Sequence, residues 1–449
     1  MKTFAIITLG CKVNQYESQQ IRQLLESNGL CQVANSDGAD LIVTNTCCVT
    51  SIASSKSRQA IRKALRNNKN ATLVVAGCLP ASPTDELGDI GGNTLVVGQK
   101  SHLGHKLQTL INENSTKQPT EYSKPTQNAE IKHKHPPRTD NDADKLNLLR
   151  SYTGQSRAFV KIQDGCDGFC TYCIVPTIRT ELNSKPEKAV LKEVSALVYA
   201  GHREIVLTGI FLGAYGRQTV RRWKWDEPRK NLFAGLLDKI ASVDGLERVR
   251  LSSLEPADVR DELIEVFCKH RNIMPHLHLP LQSGSNSILK KMCRQYNIDA
   301  FLETAEVLQK KLDRPAITTD IIVGFPGETE KDFEETMTVA KKVGFAKMHV
   351  FSFSRRKNTP AYSMDNKLAP EVIKQRSKIL HELDEKGQEI FREKFSGEKV
   401  GVIIEDTAER KGRCERYFMV SFAGNKPLER GELVYGTLNE DGKTAKLTH

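Results

Sequence analysis

The sequence predicts an α/β protein built from an N-terminal parallel α/β domain, a partial or full βα barrel and a small C-terminal β-barrel. Strand-like and helical patterns alternate in residues 1–100 and again from Phe159 to about Val350, whereas short strands with Gly and Asn turns follow Gly397. With 449 residues, of which 39% are hydrophobic and 27% charged, the chain is long enough for several globular domains. We place these domains and one linker at 1–110 (first domain), 111–150 (linker), 151–385 (barrel) and 388–449 (C-terminal domain).

The first domain is predicted from three β-rich runs, FAIITLG, DLIVTNT and TLVVAG. Helical patterns lie between these runs, at Gln15–Asn28 and Ser54–Asn67. A strand–helix–strand order predicts a parallel sheet with right-handed crossovers. Residues 114–145 instead contain few large apolar residues, many polar ones and scattered prolines, which is the composition of an interdomain linker.

The second domain contains six strand-like runs, AFVKI, EIVLTGI, RVRLSS, HLHLPL, AITTDIIVGF and AKMHVFSF. Helical segments such as Lys188–Ala200 and Asp332–Val343 separate them, so a partial or full βα barrel is expected. Active sites of such barrels lie at the C-terminal ends of the strands, and residues just after each strand are therefore candidates for function. A long charged helix is predicted at Pro370–Phe395, and the runs VGVIIED, RYFMVSF and GELVYGTL predict the small β-barrel after it.

The sequence indicates a cytoplasmic protein without membrane association. Its apolar stretches fall far short of the roughly 20 residues that a membrane helix needs, and the N-terminus lacks the small-residue cleavage site of a signal peptide. The 11 cysteines are then expected to be reduced, and an odd number cannot all pair as disulfides. Cysteines that cluster are therefore candidates for metal binding or redox chemistry.

One cysteine cluster lies in the run GCDGFCTYC, just after the first strand of the barrel. Cys166, Cys170 and Cys173 are spaced so that they could ligate three corners of one iron–sulfur cluster and leave the fourth iron open for a substrate or cofactor. The alternative is a zinc site completed by a distant His or Cys. Structural zinc usually takes four ligands in paired C-x-x-C units, and this sequence has no second pair.

A second set of cysteines follows the strands of the first domain. Cys11, Cys47 and Cys78 each come at the C-terminal end of a predicted parallel strand. Neighbouring strands lie about 5 Å apart, so these thiols could converge on a second three-ligand cluster. The alternative is three unrelated buried cysteines. Cys48 adjoins Cys47, and only one of the two can point to a given face of an extended segment.

The remaining cysteines have no partners at ligand spacing and are assigned to packing or surface. They are Cys31, Cys268, Cys293 and Cys414.

The C-x3-C-x-aromatic-C spacing at the head of a βα barrel resembles the radical S-adenosylmethionine (SAM) superfamily. The blocks LGCKVNQYES, NTCCVT, AGCLP, GCDGFCTYCIVP, LTGIFLGAYG, RLSSLEP, HLPLQSGSNSIL, TDIIVGFPGET and FSFSRRKNTPA resemble, in order, the methylthiotransferases of that superfamily. The resemblance covers most of the chain except the linker. It implies an N-terminal cluster domain, a radical SAM barrel and a C-terminal TRAM domain that binds RNA.

The resemblance also implies roles for residues. Cys11, Cys47 and Cys78 would hold an auxiliary [4Fe–4S] cluster, and Cys166, Cys170 and Cys173 would hold the cluster that binds SAM. Tyr172 matches the aromatic residue that lies against the adenine of SAM. Glu255 and Gln282 follow predicted strands at the rim where SAM would lie, and the alternative is that they make local loop hydrogen bonds. The sequence identifies no catalytic side chain.

Two segments resemble one branch of the family. LGCKVNQYES and SRRKNTPA match the branch that acts on N6-threonylcarbamoyladenosine at position 37 of tRNA, whereas LGCQMN is typical of the isopentenyladenosine branch and LGCPKN of the ribosomal-protein branch. The product implied is 2-methylthio-N6-threonylcarbamoyladenosine. Arg355, Arg356 and Lys357 would bind the carboxylate of the threonylcarbamoyl group, with Arg356 as first choice.

The implied reaction uses two SAM molecules and two [4Fe–4S] clusters. The implied partners are the anticodon loop of tRNA and a low-potential electron donor such as a flavodoxin or ferredoxin. The alternatives are methylthiolation of isopentenyladenosine-37 tRNA or of a ribosomal-protein side chain, and, in a different class, a non-catalytic RNA-binding protein with four-ligand zinc sites.

Further RNA contacts are weakly indicated. A net charge of +11 favours a polyanionic partner only weakly. Basic residues flank both tryptophans in RQTVRRWKWDEPRK, and Arg410, Lys411, Arg413 and Arg416 form a second basic group; the alternative for both is a solvated surface.

Two positions depart from the family pattern. The run after Cys173 lacks the Gly and the later Arg that commonly follow the position of Arg179, and Asn358 stands where Gly is usual. Asn tolerates a left-handed backbone better than most residues, so the turn at Asn358 is expected to persist.

Overall fold

The computed structural model describes residues 1–84, 87–88, 90–115, 146–225 and 230–448. These residues form two compact units, one within Met1–Cys48 and Ile52–Leu148 and the other within Val49–Ser51 and Leu149–His449. The predicted linker begins inside a helix that ends at Ser115, and most of it lies outside the described residues. No helix of the described chain is long and apolar enough to cross a membrane.

The N-terminal unit is a parallel sheet with helices between its strands. Its strands and α-helices are, in chain order, β1 (Thr3–Thr8), α1 (Lys12–Ser27), β2 (Cys31–Gln32), β3 (Leu41–Thr46), α2 (Ser51–Asn67), β4 (Thr72–Gly77), β5 (Thr94–Val96) and α3 (Leu103–Ser115).

The sheet has the order β2–β1–β3–β4–β5, and every pairing is parallel. The strands β3 and β4 are buried along their whole length, which explains the apolar run in β4 and in the first half of β3; the second half of β3, Thr44–Thr46, is polar. The three predicted strands are confirmed. The short strands β2 and β5 and the helix α3 are not among the predicted elements. For β2 and β5 the reason is that strands of two and three residues carry too little sequence pattern.

The second unit contains the βα barrel and the C-terminal barrel. Its barrel strands and α-helices are β6 (Ala158–Asp164), α4 (Val175–Ile178), β7 (Asn183–Ser184), α5 (Glu187–Tyr199), β8 (Glu204–Gly209), α6 (Leu232–Ala241), β9 (Arg248–Leu251), α7 (Asp261–Lys269), β10 (His276–His278), α8 (Asn286–Lys291), α9 (Ile298–Lys311), β11 (Ala316–Val323), α10 (Glu330–Val343), β12 (Lys347–Ser352) and α11 (Pro370–Glu393).

The six predicted barrel strands are confirmed as parallel neighbours in sequence order. One sheet has the order β7–β6–β8–β9 and the other β10–β11–β12. Isolated parallel bridges, Val249 with Ile273 and Ser253 with His278, continue the first sheet into the second. No pairing among the described residues joins β12 to β6, so the barrel is partial.

Local sequence signals define the ends of several helices. The side chain of Thr329 accepts a hydrogen bond from the Asp332 amide while Asp332 caps the Thr329 amide, which fixes the start of α10. The same helix ends at Gly344, whose φ of 64° lies in the left-handed region that glycine adopts most readily. Pro370 occupies the first turn of α11, where a missing amide donor costs nothing.

The C-terminal strands form a closed barrel in the order β13–β14–β15–β17–β16. They are β13 (Lys399–Asp406), β14 (Lys411–Cys414), β15 (Met419–Phe422), β16 (Leu433–Leu438) and β17 (Thr444–Leu447). The predicted small β-barrel is therefore confirmed.

The C-terminal barrel packs on the βα barrel through a buried arginine. Arg250 of β9 pairs with Glu204 of β8 at 2.9 Å and donates to the carbonyls of Glu415 and Cys414. Its guanidinium lies over the ring of Tyr417, and that ring stacks on His276 with centroids 4.0 Å apart. The charge of Arg250 is thus satisfied jointly by both barrels.

Candidate functional site

The structure brings the three N-terminal cysteines to one edge of the first sheet. The strands β1, β3 and β4 are adjacent, with Thr8 opposite Asn45 and Thr46 opposite Gly77. Cys47 and Cys78 follow the last paired residues directly, and Cys11 caps the start of α1. Cys11 is exposed, whereas Cys47 and Cys78 are buried. All three cysteines therefore lie at the carboxyl ends of neighbouring strands.

Gly10 and Asn14 contact the residues around these cysteines. The Gly10 backbone has a φ of 103° and lies so close to Cys47 that an added Cβ would sit 2.7 Å from the Cys47 Cβ. Asn14 donates from Nδ2 to the carbonyls of Leu9 and Thr46, both at 2.8 Å, and its Oδ1 faces the Cys78 thiol at 4.0 Å. Sequence reasoning missed Asn14, although its place three residues after Cys11, on the first turn of a helix, was a usable signal.

The adjacent Cys47 and Cys48 have different surroundings. Ser57 accepts a hydrogen bond from the Cys47 amide and donates to the Cys47 carbonyl, which fixes that residue's backbone. The Cys48 thiol is fully buried and donates to the Cys78 carbonyl at 3.1 Å. Cys48 thus has a hydrogen-bond partner within the fold.

The barrel cysteines lie in a loop anchored at both ends. The loop begins at Gly165, which has a φ of 78°. A Cβ added at this position would clash with the Glu181 carbonyl, so no other residue fits here. The Cys166 amide donates to the Arg179 carbonyl, and the Arg179 guanidinium pairs with Asp164 at 2.6 Å. The run after Cys173 that departs from the family pattern is therefore held against the cluster loop by Arg179 itself.

The three barrel thiols share one partly buried environment. Burial, reinforced by the neighbouring Cys170, raises the pKa of Cys173 to about 12. Burial also raises the pKa of Cys166 to about 12, against the effect of a hydrogen bond from the Gly168 amide. Both thiols are then protonated at neutral pH, and binding of a metal as thiolates must release protons.

Arg294 links the cysteine loop to Glu255. One guanidinium nitrogen lies 3.3 Å from the Cys170 Sγ and 3.4 Å from the Tyr172 hydroxyl, and another pairs with Glu255 at 2.6 Å. Arg222 pairs with the other oxygen of Glu255 at 2.6 Å and with Asp258 at 2.8 Å. Burial acts to raise the pKa of Glu255, but the two arginines outweigh it and the pKa is lowered, so this carboxylate stays ionised.

Sequence reasoning missed Arg294, Arg222 and Asp258 in this network. Their partners are 33 or more residues away in the chain or belong to an irregular loop, so no local pattern marked them. Arg222 belongs to the basic segment RQTVRRWKWDEPRK, for which RNA contacts are a prediction. In the structure its guanidinium pairs with two buried carboxylates, Glu255 and Asp258.

The other predicted cofactor residues lie around the same strand ends. The ring of Tyr172 packs against an apolar cluster formed by Ile288, Met292, Phe325 and Ala361. Gln282 has a φ of 63°, and its backbone bonds to Asp320 and Ile322 of β11. A residue held in the left-handed region without being glycine is the kind of backbone strain that clusters at functional sites.

The predicted substrate residues follow β12. Arg355 and Lys357 are exposed, whereas Arg356 is buried. The Arg355 guanidinium stacks on the Tyr362 ring at 4.1 Å and donates to the Tyr362 carbonyl. Asn358 has a φ of 64°, so it adopts the left-handed turn expected of the glycine that it replaces.

The described part of the tryptophan-containing segment folds onto the cysteine loop. Asp167 of that loop accepts hydrogen bonds from Thr219 and Val220, and the exposed Trp223 ring lies 5.1 Å from Phe169. Arg229 of this segment lies outside the described residues. In the C-terminal barrel, Arg413 pairs with Glu405 and Arg416 with Asp313, so these two basic residues of the predicted group are partly neutralised.

The two cysteine sets fit multi-iron clusters better than single zinc ions. A single ion draws its ligand atoms close together, and among the described residues no three thiols lie within 4.8 Å of one another. A cluster of several metal ions holds its thiolates farther apart. Three cysteines in one loop, and three at one sheet edge beside a Cys48 whose thiol bonds to the Cys78 carbonyl, match [4Fe–4S] clusters that keep one iron open.

Comparison with protein families gives two matches. Residues 3–98 match the model described as uncharacterized protein family UPF0004, and residues 160–340 match the radical SAM superfamily. The first match contains Cys11, Cys47 and Cys78, and the second contains Cys166, Cys170 and Cys173.

Curated relatives cover almost the whole chain. The threonylcarbamoyladenosine tRNA methylthiotransferase MtaB of Chlamydia pneumoniae is 37% identical over 90% of this chain and 87% of its own, and that of Bacillus subtilis is 36% identical over 95% and 92%. The tRNA-2-methylthio-N(6)-dimethylallyladenosine synthase of Fusobacterium nucleatum is 34% identical over 98% of both chains.

Solved structures agree with the fold. The radical SAM methyltransferase TsrM from Kitasatospora setae, with cobalamin and a [4Fe–4S] cluster bound, has a TM-score of 0.54 and 13% identity over 81% of this chain and 74% of its own. The family implies SAM and [4Fe–4S] clusters as cofactors. The fold, the two cysteine sets and the relatives together show that this chain belongs to the methylthiotransferase family of radical SAM enzymes.

Proposed function

We propose that the enzyme methylthiolates C2 of N6-threonylcarbamoyladenosine at position 37 of tRNA, giving 2-methylthio-N6-threonylcarbamoyladenosine. The observation that carries this proposal is near-full-length similarity to relatives named for that substrate, together with a basic segment after β12 that suits a carboxylate-bearing base. The activity places the protein in the cytoplasm with tRNA, and a low-potential donor such as a flavodoxin or ferredoxin supplies its electrons.

The two cysteine sets divide the cofactor binding between them. Cys166, Cys170 and Cys173 ligate the cluster that binds SAM, and Cys11, Cys47 and Cys78 ligate the auxiliary cluster. An iron–sulfur cluster with an open iron binds SAM and supplies the electron for its reductive cleavage, chemistry that belongs to the cofactor. Single-zinc sites, which would support a non-catalytic RNA-binding protein, do not fit the spread of the thiols.

The residues around the barrel loop position SAM. Tyr172 would lie against the adenine, and Gln282, in the segment after β10, would bind another part of the cofactor. Glu255 is held ionised between Arg294 and Arg222. Its remaining lone pairs would accept hydrogen bonds from hydroxyl or amino groups of SAM.

The protein then has three domains and one linker: an auxiliary-cluster domain at 1–110, the linker at 111–150, the radical SAM barrel at 151–385 and an RNA-binding TRAM-like barrel at 388–449. The closed five-strand barrel after α11 supports the last of these.

Substrate choice is tested with three tRNA substrates. The reconstituted enzyme, SAM and a reductant are incubated anaerobically with tRNA that carries threonylcarbamoyladenosine, isopentenyladenosine or unmodified adenosine at position 37, and digested nucleosides are analysed by mass spectrometry. We expect a methylthio product only from the first. Product from isopentenyladenosine tRNA would favour the alternative suggested by the Fusobacterium nucleatum relative, and equal turnover of unmodified tRNA would contradict the proposal.

The carboxylate-binding segment is tested by comparing two arginines. A threonylcarbamoyl group adds a carboxylate to the base, and a guanidinium can bind it through two hydrogen bonds. Arg356→Ala is expected to lower product formation about tenfold or more, given 1.5–3 kcal/mol for a charged hydrogen bond, with both clusters and uncoupled SAM cleavage intact. Arg355→Ala, which removes an exposed guanidinium of the same segment that is already stacked on Tyr362, is compared with it, and a loss in Arg355→Ala alone would reassign the contact.

A further inference from the structure

Three side chains of metal-ligand type lie together on the barrel, away from the cysteines in sequence. His278 ends β10, Asp320 lies in β11 and His349 lies in β12. The parallel register sets His278 opposite Thr318 and Asp320 opposite His349. Because side chains alternate along a strand, Thr318 and Asp320 point to the same face of β11, and their two histidine neighbours point there as well.

This face is the more open one of the sheet. Asp320 and Ile322 are half-buried, whereas Ile317, Ile321 and Val323 on the other face of β11 are buried. The side chains of His278 and Asp320 are 13% and 29% exposed, so an ion from solvent could reach them. The three groups therefore share one partly exposed face of the sheet β10–β11–β12.

Their geometry brings three donor atoms within reach of one ion. The His278 Nε2 lies 3.3 Å from an Asp320 oxygen, and the rings of His278 and His349 have centroids 5.8 Å apart. One ligand atom from each residue lies within 4.8 Å of the other two, and within the described ranges this is the one group of three or more His, Cys, Asp and Glu side chains that meets this limit.

Thr318 orients one of the imidazoles. Its hydroxyl lies 3.0 Å from the His278 Nδ1, so the Nε2 of that ring is turned toward Asp320. A hydrogen bond to the non-ligating nitrogen is the usual support of a metal-binding histidine, because it fixes the tautomer and the direction of the ring.

We propose that His278, Asp320 and His349 form a binding site for one divalent transition-metal ion on this face of the sheet β10–β11–β12. Two imidazoles and one carboxylate suit Mn²⁺, Fe²⁺ or Zn²⁺, and three protein ligands leave coordination positions open for water or an oxygen of a bound molecule. An ion pair would need only His278 and Asp320. The third ligand atom, on the neighbouring strand and within the same limit, is what distinguishes the two interpretations.

The site is tested by Mn²⁺ binding to the full-length, anaerobically reconstituted enzyme after removal of loose metal with a chelating resin. Mn²⁺ prefers nitrogen and oxygen ligands to thiolates, so the cysteine sets do not compete for it. Free Mn²⁺ is followed by electron paramagnetic resonance, and pulsed measurements detect ¹⁴N coupling from bound imidazole. We expect about one Mn²⁺ per chain with nitrogen coupling.

Variants assign the ligands. His349→Gln and Asp320→Asn are expected to weaken Mn²⁺ binding by more than about tenfold, and Thr318→Val, which keeps all three ligands but removes the orienting hydroxyl, should weaken it by about tenfold. His381→Gln removes an exposed histidine on α11 and should leave binding unchanged. Unchanged iron content and cluster spectra in each variant show that the protein has folded.

Two results would overturn the site: wild-type enzyme that binds no Mn²⁺ with nitrogen coupling, or His349→Gln and Asp320→Asn variants that bind it as tightly as His381→Gln. The methylthiolation assay is not part of the readout, so failure of the metal site is distinguishable from failure of the proposed function.

Discussion

At the scale of single residues, the adjacent cysteines after β3 have different hydrogen-bond partners. The Cys48 thiol is buried against the Cys78 carbonyl, so it points into the fold, whereas Cys47 lies beside Gly10 at the sheet edge. We expect about eight iron atoms per chain in the reconstituted enzyme, from two [4Fe–4S] clusters. Cys47→Ser should lower this to about four and abolish the methylthio product while SAM is still cleaved. Cys48→Ser should keep both clusters, and the reverse pair of results would reassign the ligand.

Arg294 is the residue placed to tune the SAM cluster. Hydrogen bonds and positive charge at a ligating sulfur stabilise the reduced cluster, and the Arg294 guanidinium lies 3.3 Å from the Cys170 Sγ. Arg294→Gln should therefore shift the reduction potential of this cluster to a more negative value in a redox titration followed by electron paramagnetic resonance. Arg222→Gln is the matched control, because it removes the other partner of Glu255 and no contact to a cysteine in the described network. Equal shifts in the two variants would place the effect in Glu255 instead.

At the scale of secondary structure, the turn between β1 and α1 decides whether Cys11 and Cys47 share one edge. A Cβ at Gly10 would be 2.7 Å from the Cys47 Cβ, and the residue has a φ of 103°. Gly10→Ala should therefore lose the auxiliary cluster, seen as about half of the iron. Gly29→Ala, at the end of α1, has a similar φ of 83° but no atom within 4 Å of the added Cβ. This control should keep its iron; loss in both variants would mean that backbone strain, rather than the clash with Cys47, is responsible.

At the scale of the whole molecule, the ion pair of Arg250 and Glu204 couples the two barrels of the second unit. Burial acts to raise the pKa of Glu204, but Arg250 and Arg157 outweigh it and lower the pKa. The resulting stability is present above the carboxyl's unfolded pKa and is lost as pH falls through the lowered folded value.

Removing one partner of this pair leaves an uncompensated buried charge. Glu204→Gln should lower the free energy of unfolding by about 3–5 kcal/mol, measured by denaturant titration of the full chain. Arg203→Gln on the neighbouring position, whose ion pair with Glu247 is largely exposed, should change it by less than about 1 kcal/mol. Equal effects would show that the buried pair contributes no more than a surface pair.

Regular elements could be predicted because their pattern is local. The runs DLIVTNT and TLVVAG correspond to β3 and β4, and the six barrel strands follow the predicted order. The helix α1 begins at Lys12, three residues before the predicted start. Its N-cap residue is Cys11, whose side chain makes no capping hydrogen bond, so the sequence contains no recognisable start signal there. The strands β2 and β5 are too short to be recognised without their partners.

The sequence by itself determined the fold class, the family resemblance and the two sets of three cysteines, because strand periodicity and cysteine positions can be recognised from short stretches of sequence. Only the tertiary structure decided the contacts among distant residues. It placed Arg294 between Cys170 and Glu255, turned Cys48 into the fold, and assembled His278, Asp320 and His349 from three strands. Such groups depend on strand register and on crossovers that separate their members by 29 residues or more, and no local pattern specifies that register.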